Sequence, residues 1–325
     1  MRGSTAMAPA APAAIRTWAG PLAAALLATL ASALAPRWLD AGQLRLAAEI
    51  LLAVGMAQMW NLMAGYTGLL SLGHQLFVAL GAYAAFEATQ RLQIAPTWAL
   101  PLAGVAGAAV AALLAPLLFR LREAYFAIGL WVFAEIAALL VSKSAWLGGS
   151  SGRTLDMAQV ADIETYQASS FWLASAIGLG LWALVWALMR GRLGLALLTV
   201  RDNELAARSL GVDVWWVRFT AFTISGAGCG LAGAAYYMGA MFVAPDSAFD
   251  INWVVMMMFA TLIGGMGTLV GPVLGVLVWF ALRELLGTGL GWSGGWSLMA
   301  MGAVAMAVSL WAPRGLWGLL QRRRG

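Results

Sequence analysis

Apolar blocks recur along the whole chain, divided by short polar or glycine-rich breaks. They run over Ile15–Ala35, Leu44–Ala64, Gln75–Ala88, Thr97–Phe119, Ala124–Val141, Ser170–Met189, Phe219–Val243, Trp253–Ile263, Val273–Leu286 and Trp296–Ala312. A membrane-crossing helix needs about 20 mostly apolar residues to span about 30 Å of hydrocarbon. Leu, Ala, Gly and Met dominate the blocks, and the strict alternation of barrel strands is absent. The pattern predicts an all-α polytopic membrane protein with about ten transmembrane helices, some glycine-interrupted. Ile15–Ala35 reads as a retained first span. It follows Arg2 and Arg16 and ends in Ala33-Leu34-Ala35, so it also fits a cleavable signal peptide.

The polar positions are as informative as the apolar ones. Arg190–Arg218 is a polar run between two strongly apolar blocks, and Ser142–Ser169 is a second long polar loop. Within the first, Asn203–Leu210 has helix composition. Asp202 or Asn203 is placed to cap it, Glu204 lies in the first turn, and Gly211 stands where such a helix stops. A short helix on a charged loop is placed to dock a soluble partner; the same arginines would also serve simply to fix topology. Two glycine-rich interruptions, Gly65–Gly73 and Gly264–Gly271, occupy corresponding places in the two halves. Paired broken helices mark a transport route or only close packing. Gly226, Gly230 and Gly233, with Ser225 and Cys229, form a small-residue face for close helix approach.

Composition sharpens the class. The chain is 62% hydrophobic and 10% charged, with mean hydropathy +0.83, against about 25% charged residues in soluble domains. Thirteen of the 19 basic residues fall on one side of the expected topology: Arg2, Arg16, Arg120, Arg122, the five arginines of the 190–218 loop, Arg314 and Arg322–Arg324. That imbalance puts both termini and the 190–218 loop in the cytoplasm, with the 142–169 loop outside. Met1–Arg16 is then a cytoplasmic tail, 17–312 the transmembrane domain, and 313–325 a basic cytoplasmic tail. The net charge of +5 is spread over loop ends, with no aromatic-interleaved basic groove for nucleic acid.

Catalytic chemistry is sparse. His74 and Cys229 are the only residues of their kinds, which excludes multi-histidine and cysteine-cluster metal sites within the chain. Gly148-Gly149-Ser150-Ser151-Gly152 matches a nucleophile-elbow pattern, but it lies in a loop with no histidine expected near it. No phosphate-binding GxxxxGK[ST] loop and no HExxH occurs. Glu135 sits inside an apolar block; an intramembrane carboxylate usually faces the bundle interior or a partner.

Four stretches together resemble one family. They are Asn61–His74 running on to Gly81-Ala82-Tyr83, Tyr125–Ile128 with Phe133–Ile136, Arg201–Gly211, and Gly264–Pro272. In that order they are similar to the LivH/LivM permeases of branched-chain amino acid ABC importers, closer to the M type. The Ala206-Ala207-x3-Gly211 core is like the loop through which such importers dock their ATPase, although Leu205 stands where many have Glu. The resemblance implies a permease subunit, not an enzyme, in a bacterial inner membrane, forming half of a translocation path. It implies as partners a second homologous permease, two ATP-binding subunits that carry ATP and Mg, and an extracytoplasmic substrate-binding protein. No cofactor is expected on this chain. Arg201, Asp202, Asn203, Glu204, Ala206, Ala207 and Gly211 are the expected coupling residues. Asn61, Gly65, Gly68, Ser71, Glu135, Gly264, Gly265 and Gly267 are the expected path residues. Related permeases carry urea or short amides, and an ATPase-independent transporter or channel is the remaining alternative.

Overall fold

The computed structural model describes residues 29–121, 124–155, 163–292, 294–312 and 315–322. Most of the expected first span and tail 1–16, part of the 142–169 loop, and residues 323–325 lie outside the described residues. The elements are α1 (Ala41–Thr67), α2 (Gln75–Arg91), α3 (Pro96–Leu118), α4 (Ala124–Lys143), α5 (Ile163–Arg190), α6 (Arg192–Asp202) and α7 (Glu204–Ser209). They continue with α8 (Val214–Ala240), α9 (Pro245–Ala248), α10 (Asn252–Gly264), α11 (Gly271–Glu284), α12 (Gly294–Trp311) and α13 (Gly315–Arg322). The sheet among the described residues is one antiparallel pair, β1 (Arg153–Thr154) with β2 (Phe242–Val243). This is the all-α polytopic architecture the apolar pattern predicts.

Among the described residues six helices are long and apolar enough to cross a membrane: Ala41–Thr67, Pro96–Leu118, Ala124–Lys143, Thr165–Arg190, Pro245–Gly264 and Gly294–Trp311. Three more expected spans within the described residues are helices of a different character. α2 and α11 have only 17 and 14 residues, while α8, at 27 residues, is rich in glycine and alanine. α10 and α11 rise only about 20 Å each and fold back on one another as a hairpin whose tip is the glycine-rich 265–270 loop. The expected Arg190–Arg218 loop is mostly helical, because Gly194, Leu197 and Val200 give α6 an apolar stripe that packs on the bundle.

α1 lies at the centre. A capping box between Asp40 and Gln43 starts it, and it is buried throughout from Leu52 to Thr67. α8 runs beside it with the expected small-residue stripe inward. A Cβ at Gly107 of α3 would lie 2.2 Å from the Gly226 carbonyl, and one at Gly81 of α2 would lie 2.3 Å from that of Gly230. The three backbones meet where only glycine fits. α12 is peripheral, with Trp296, Met306, Leu310 and Trp311 exposed.

The bundle has two distinct ends. One carries the ion pairs Glu49–Arg283 (3.3 Å) and Glu87–Arg153 (3.2 Å), together with the β1–β2 pair. The other carries α6, α7, the turn after α3 and the tip of the α10–α11 hairpin.

Candidate functional site: a helical knob tied to two broken helices

At the second end α7 projects as a capped knob. Asn203 is extended, and its side chain accepts from Ala206 N–H at 3.0 Å. At the other terminus Gly211 takes φ +82°. The Val212 N–H then reaches the Ala207 carbonyl, and the Gly211 N–H reaches that of Arg208, both at 3.0 Å. That is a Schellman closure, and Asp213 at once caps α8 by accepting from Trp216 N–H. Six helical residues would not hold their shape alone in water. Here both caps are filled, and Glu204 binds Arg208 at 2.6 Å and Arg218 of α8 at 2.8 Å. Burial works to raise the Glu204 carboxyl, but the two arginines outweigh it and hold it below the usual carboxylate range.

Ala207 is the side chain that anchors the knob inward, whereas Leu205 and Leu210 are each 77% exposed. Two bare leucines on a polar protrusion suit contact with another protein. Neither is among the coupling residues expected from the sequence, where Leu205 stands as a departure from the importer pattern. The available signal was leucine in an otherwise charged run. Beside the knob a groove of about 370 Å³ is lined by Arg208, Gly211, Asp213 and Trp215.

Arg201, in the last turn of α6 and three residues before α7, faces the bundle. Its Nη1 donates to the Gly65 carbonyl at 3.0 Å, and its Nε donates to Asp202 at 3.0 Å. Gly65 stands at the crossing of the two glycine-interrupted segments. Asn61 of α1 donates to the Thr268 carbonyl at 3.0 Å and accepts from Gly267 N–H at 2.8 Å. Gln58 donates to the Leu269 carbonyl at 2.6 Å, and Trp182 of α5 does so at 3.2 Å. Thus α1 holds the hairpin tip by its backbone. A Cβ at Gly65 would lie 2.6 Å from Gly267 N, and one at Gly267 would lie 2.9 Å from Arg201 Nη1. Asn61, Gly65, Gly264, Gly265 and Gly267 are therefore together, in a packed seam at the Arg201 end.

Gly68 ends α1 at φ +77° and lies against Arg201. Ser71 belongs to a different network. It receives the Trp60 indole N–H on its carbonyl, and its hydroxyl lies 2.6 Å from His74 Nδ1. The Ser225 hydroxyl donates to the Met59 carbonyl at 2.8 Å, so it accepts from His74 Nε2. His74 thereby carries a proton on Nε2 and pins the break to α8. Glu135, expected to face the bundle interior or a partner, does not face the interior of this chain. It is exposed on α4, accepts from Trp131 Nε1 at 2.9 Å, and lines a shallow cavity with Asp246 and Asp250. The Gly148–Gly152 stretch forms short 3₁₀ turns, and buried His74 makes its bonds to Ser71 and Ser225, so no nucleophile elbow is built. Among the described residues no group of His, Cys, Asp and Glu is arranged to hold a metal.

A helical bundle with paired broken helices and a capped external knob is the build of a membrane transport subunit. The family model described as branched-chain amino acid transport system / permease component matches residues 42–309, and the chain belongs to that family. It is similar to the high-affinity branched-chain amino acid transport system permease protein LivM of Escherichia coli strain K12, 29% identical over 293 residues, which cover 82% of this chain and 67% of that protein. LivM of Salmonella typhimurium strain LT2 is 29% identical over 318 residues, 90% of this chain and 74% of that one. The probable LivM permease of Methanocaldococcus jannaschii is 26% identical over 191 residues, 58% and 55% of the two chains. No solved structure matches the chain at a significant level. The protein is a multi-pass membrane permease component, not an enzyme.

Proposed function

We propose that the chain forms half of the translocation path of an ATP-binding-cassette importer for branched-chain or related amino acids. The other half is a second, homologous permease, and Glu135 on the exposed face of α4 lies toward the seam between them. Two ATP-binding subunits carry ATP and Mg, and an extracytoplasmic binding protein delivers the solute to the Glu49 end. The knob and both termini face the cytoplasm of a bacterial inner membrane, as the basic residues of the 190–218 segment favour.

The observation that carries this reading is the short path from α7 to the broken helices. Leu205 and Leu210 are exposed on α7, while Arg201, at the end of α6 and joined to α7 through Asn203, binds the Gly65 carbonyl. When the nucleotide-binding subunits close, they move α7 as a lever. Arg201 carries that displacement to Gly65, and through Asn61 to the hairpin tip. The seam opens because the two nucleotide states hold the knob differently, which is what coupling requires.

The test is co-purification of the full set of subunits, followed by ATP hydrolysis with and without amino-acid-loaded binding protein. Stimulation by L-leucine supports the reading. Uptake of L-leucine by vesicles carrying this chain alone would favour an ATPase-independent transporter instead.

A further inference from the structure

The last helix, α13, takes no part in the knob or in the seam between Asn61 and the hairpin tip. It follows α12 through a turn at Gly315, which has φ +67° and whose N–H donates to the Ala312 carbonyl at 2.7 Å. It lies beside α10, α11 and α12. A Cβ at Gly315 would lie 2.6 Å from both Cα and N of Gly265 and 2.8 Å from the Gly264 carbonyl carbon. The helix therefore starts in backbone contact with one of the two glycine-rich breaks. Leu316, Trp317, Leu319 and Leu320 share one side at helical spacing, and the remaining positions are Gly315, Gly318, Gln321 and Arg322. Leu316 packs against the core, whereas Leu319 and Leu320 are exposed. Arg323 and Arg324 come next in the sequence, and no acidic residue follows Glu284.

We propose that α13 and the arginines after it bind an anionic lipid surface, and that through Gly315 this contact bears on the Gly264–Gly265 break. A short helix with Trp and Leu on one side and a basic end is suited to lie in the headgroup layer. Its place in the fold agrees. α12 turns Trp296, Met299, Met306, Leu310 and Trp311 outward, as a lipid-facing span does. It ends at Trp311, and tryptophan settles at membrane surfaces. The turn at Gly315 comes four residues later, so α13 begins where α12 leaves the hydrocarbon. Charge favours lipid over a protein partner. The segment around α7 sets Asp202 and Glu204 among its arginines, whereas α13 and the residues after it carry one sign only. Two exposed leucines are a weak anchor, and each arginine near an anionic surface adds about a fivefold preference. Together the two signals make a membrane contact. The assignment rests on the proposed function only for placing that contact in the cytoplasmic leaflet.

The experiment uses the assembled transporter in phosphatidylcholine nanodiscs, with and without phosphatidylglycerol. A nitroxide is attached to Leu320→Cys, with the wild-type complex treated alike as background. Its relaxation by oxygen, which enters lipid, is compared with relaxation by a water-soluble nickel chelate. The same label at Leu310→Cys on α12 is the control for an intact, inserted bundle. The expected result is a ratio of oxygen to nickel access at Leu320→Cys that rises at least about fivefold with phosphatidylglycerol, the effect of one arginine at a charged surface. The ratio at Leu310→Cys stays the same in both lipids. Arg322→Gln, Arg323→Gln and Arg324→Gln together remove the rise. Amide exchange over 265–270 is slower with phosphatidylglycerol in the wild type and independent of lipid in the triple variant. A label shielded from both reagents would put this face under an ATP-binding subunit and overturn the proposal. A label open to nickel in both lipids, or a ratio that ignores phosphatidylglycerol, overturns it as well. Exchange over 265–270 that ignores the lipid while the label responds overturns the link to the break. Both leaflets of a nanodisc meet the same solution, so these outcomes do not depend on which way the knob faces. A complex whose ATP hydrolysis ignores amino-acid-loaded binding protein refutes the functional reading and leaves the lipid contact standing.

Discussion

Gly65 and Gly211 exclude side chains for opposite reasons. At Gly65 the backbone is ordinary, but a Cβ would meet Gly267 N at 2.6 Å. At Gly211 the space is open, but φ is +82°. Gly65→Ala should force α1 away from the hairpin tip and lower the stability of the complex by about 1–3 kcal/mol. Gly211→Ala should cost about 1–2 kcal/mol through the left-handed backbone alone and leave the seam intact. Thermal unfolding followed by tryptophan fluorescence measures both, and cysteine cross-linking across the seam tells them apart. Arg201→Gln removes a charged hydrogen bond to a carbonyl, an interaction of about 1.5–3 kcal/mol. It should leave ATP hydrolysis in place and reduce ATP-driven uptake about tenfold or more. Equal loss of both activities would mean that Arg201 merely holds the fold together.

At the scale of elements, α7 is a structure of caps and ion pairs more than of buried area. Leu205 and Leu210 are largely exposed, so with Leu205→Asp and Leu210→Asp the chain should fold normally and fail to retain the ATP-binding subunits in a pull-down. Retention of those subunits by the double variant would remove the knob from the docking surface. Glu204 adds a pH dependence. Its carboxyl is held below the ordinary value of 4.5, so the clamp to Arg208 and Arg218 is complete above that value and is lost as the pH falls through the lowered one. Hydrogen exchange in α7 should therefore keep the same protection, corrected for intrinsic rate, between about pH 7 and about pH 5, and lose it only in more acid solution.

The sequence made much of this element legible. Asn203, Glu204 and Gly211 announce a cap, a first turn and a stop by local chemistry that needs no tertiary context. The small-residue face of α8 was equally readable, since closely spaced glycines serve close approach. What local pattern does not carry is which distant segments touch. Nothing in Arg201 itself says that it reaches Gly65, 136 residues away in the chain. For Glu135 the sequence leaves interior and partner-facing placements open, and only the packing of α4 shows that it lies on an open face of this chain. The helical nature of α6 was hidden by Arg192 and Arg201 at its two ends, which made the segment look like a charged loop although Gly194, Leu197 and Val200 lie buried within it.

For the whole molecule, the prediction is one of sidedness. Cys229, the only cysteine, is buried, so a single engineered cysteine reports its own location. Ser209→Cys should react with an impermeant thiol reagent only from the cytoplasm, and Ser151→Cys only from outside. The exposed α4 face and the shallow Glu135 cavity are expected to close against a second permease. On the proposed function, another chain's nucleotide cycle pushes this bundle through α7. The most direct measurement is ATP-driven uptake of L-leucine into proteoliposomes holding all subunits, comparing wild type with Ala206→Glu, a charged group set on the exposed face of the knob. Uptake should fall to background while the permease remains folded and inserted. Uptake that continues at the wild-type rate would contradict coupling through α7.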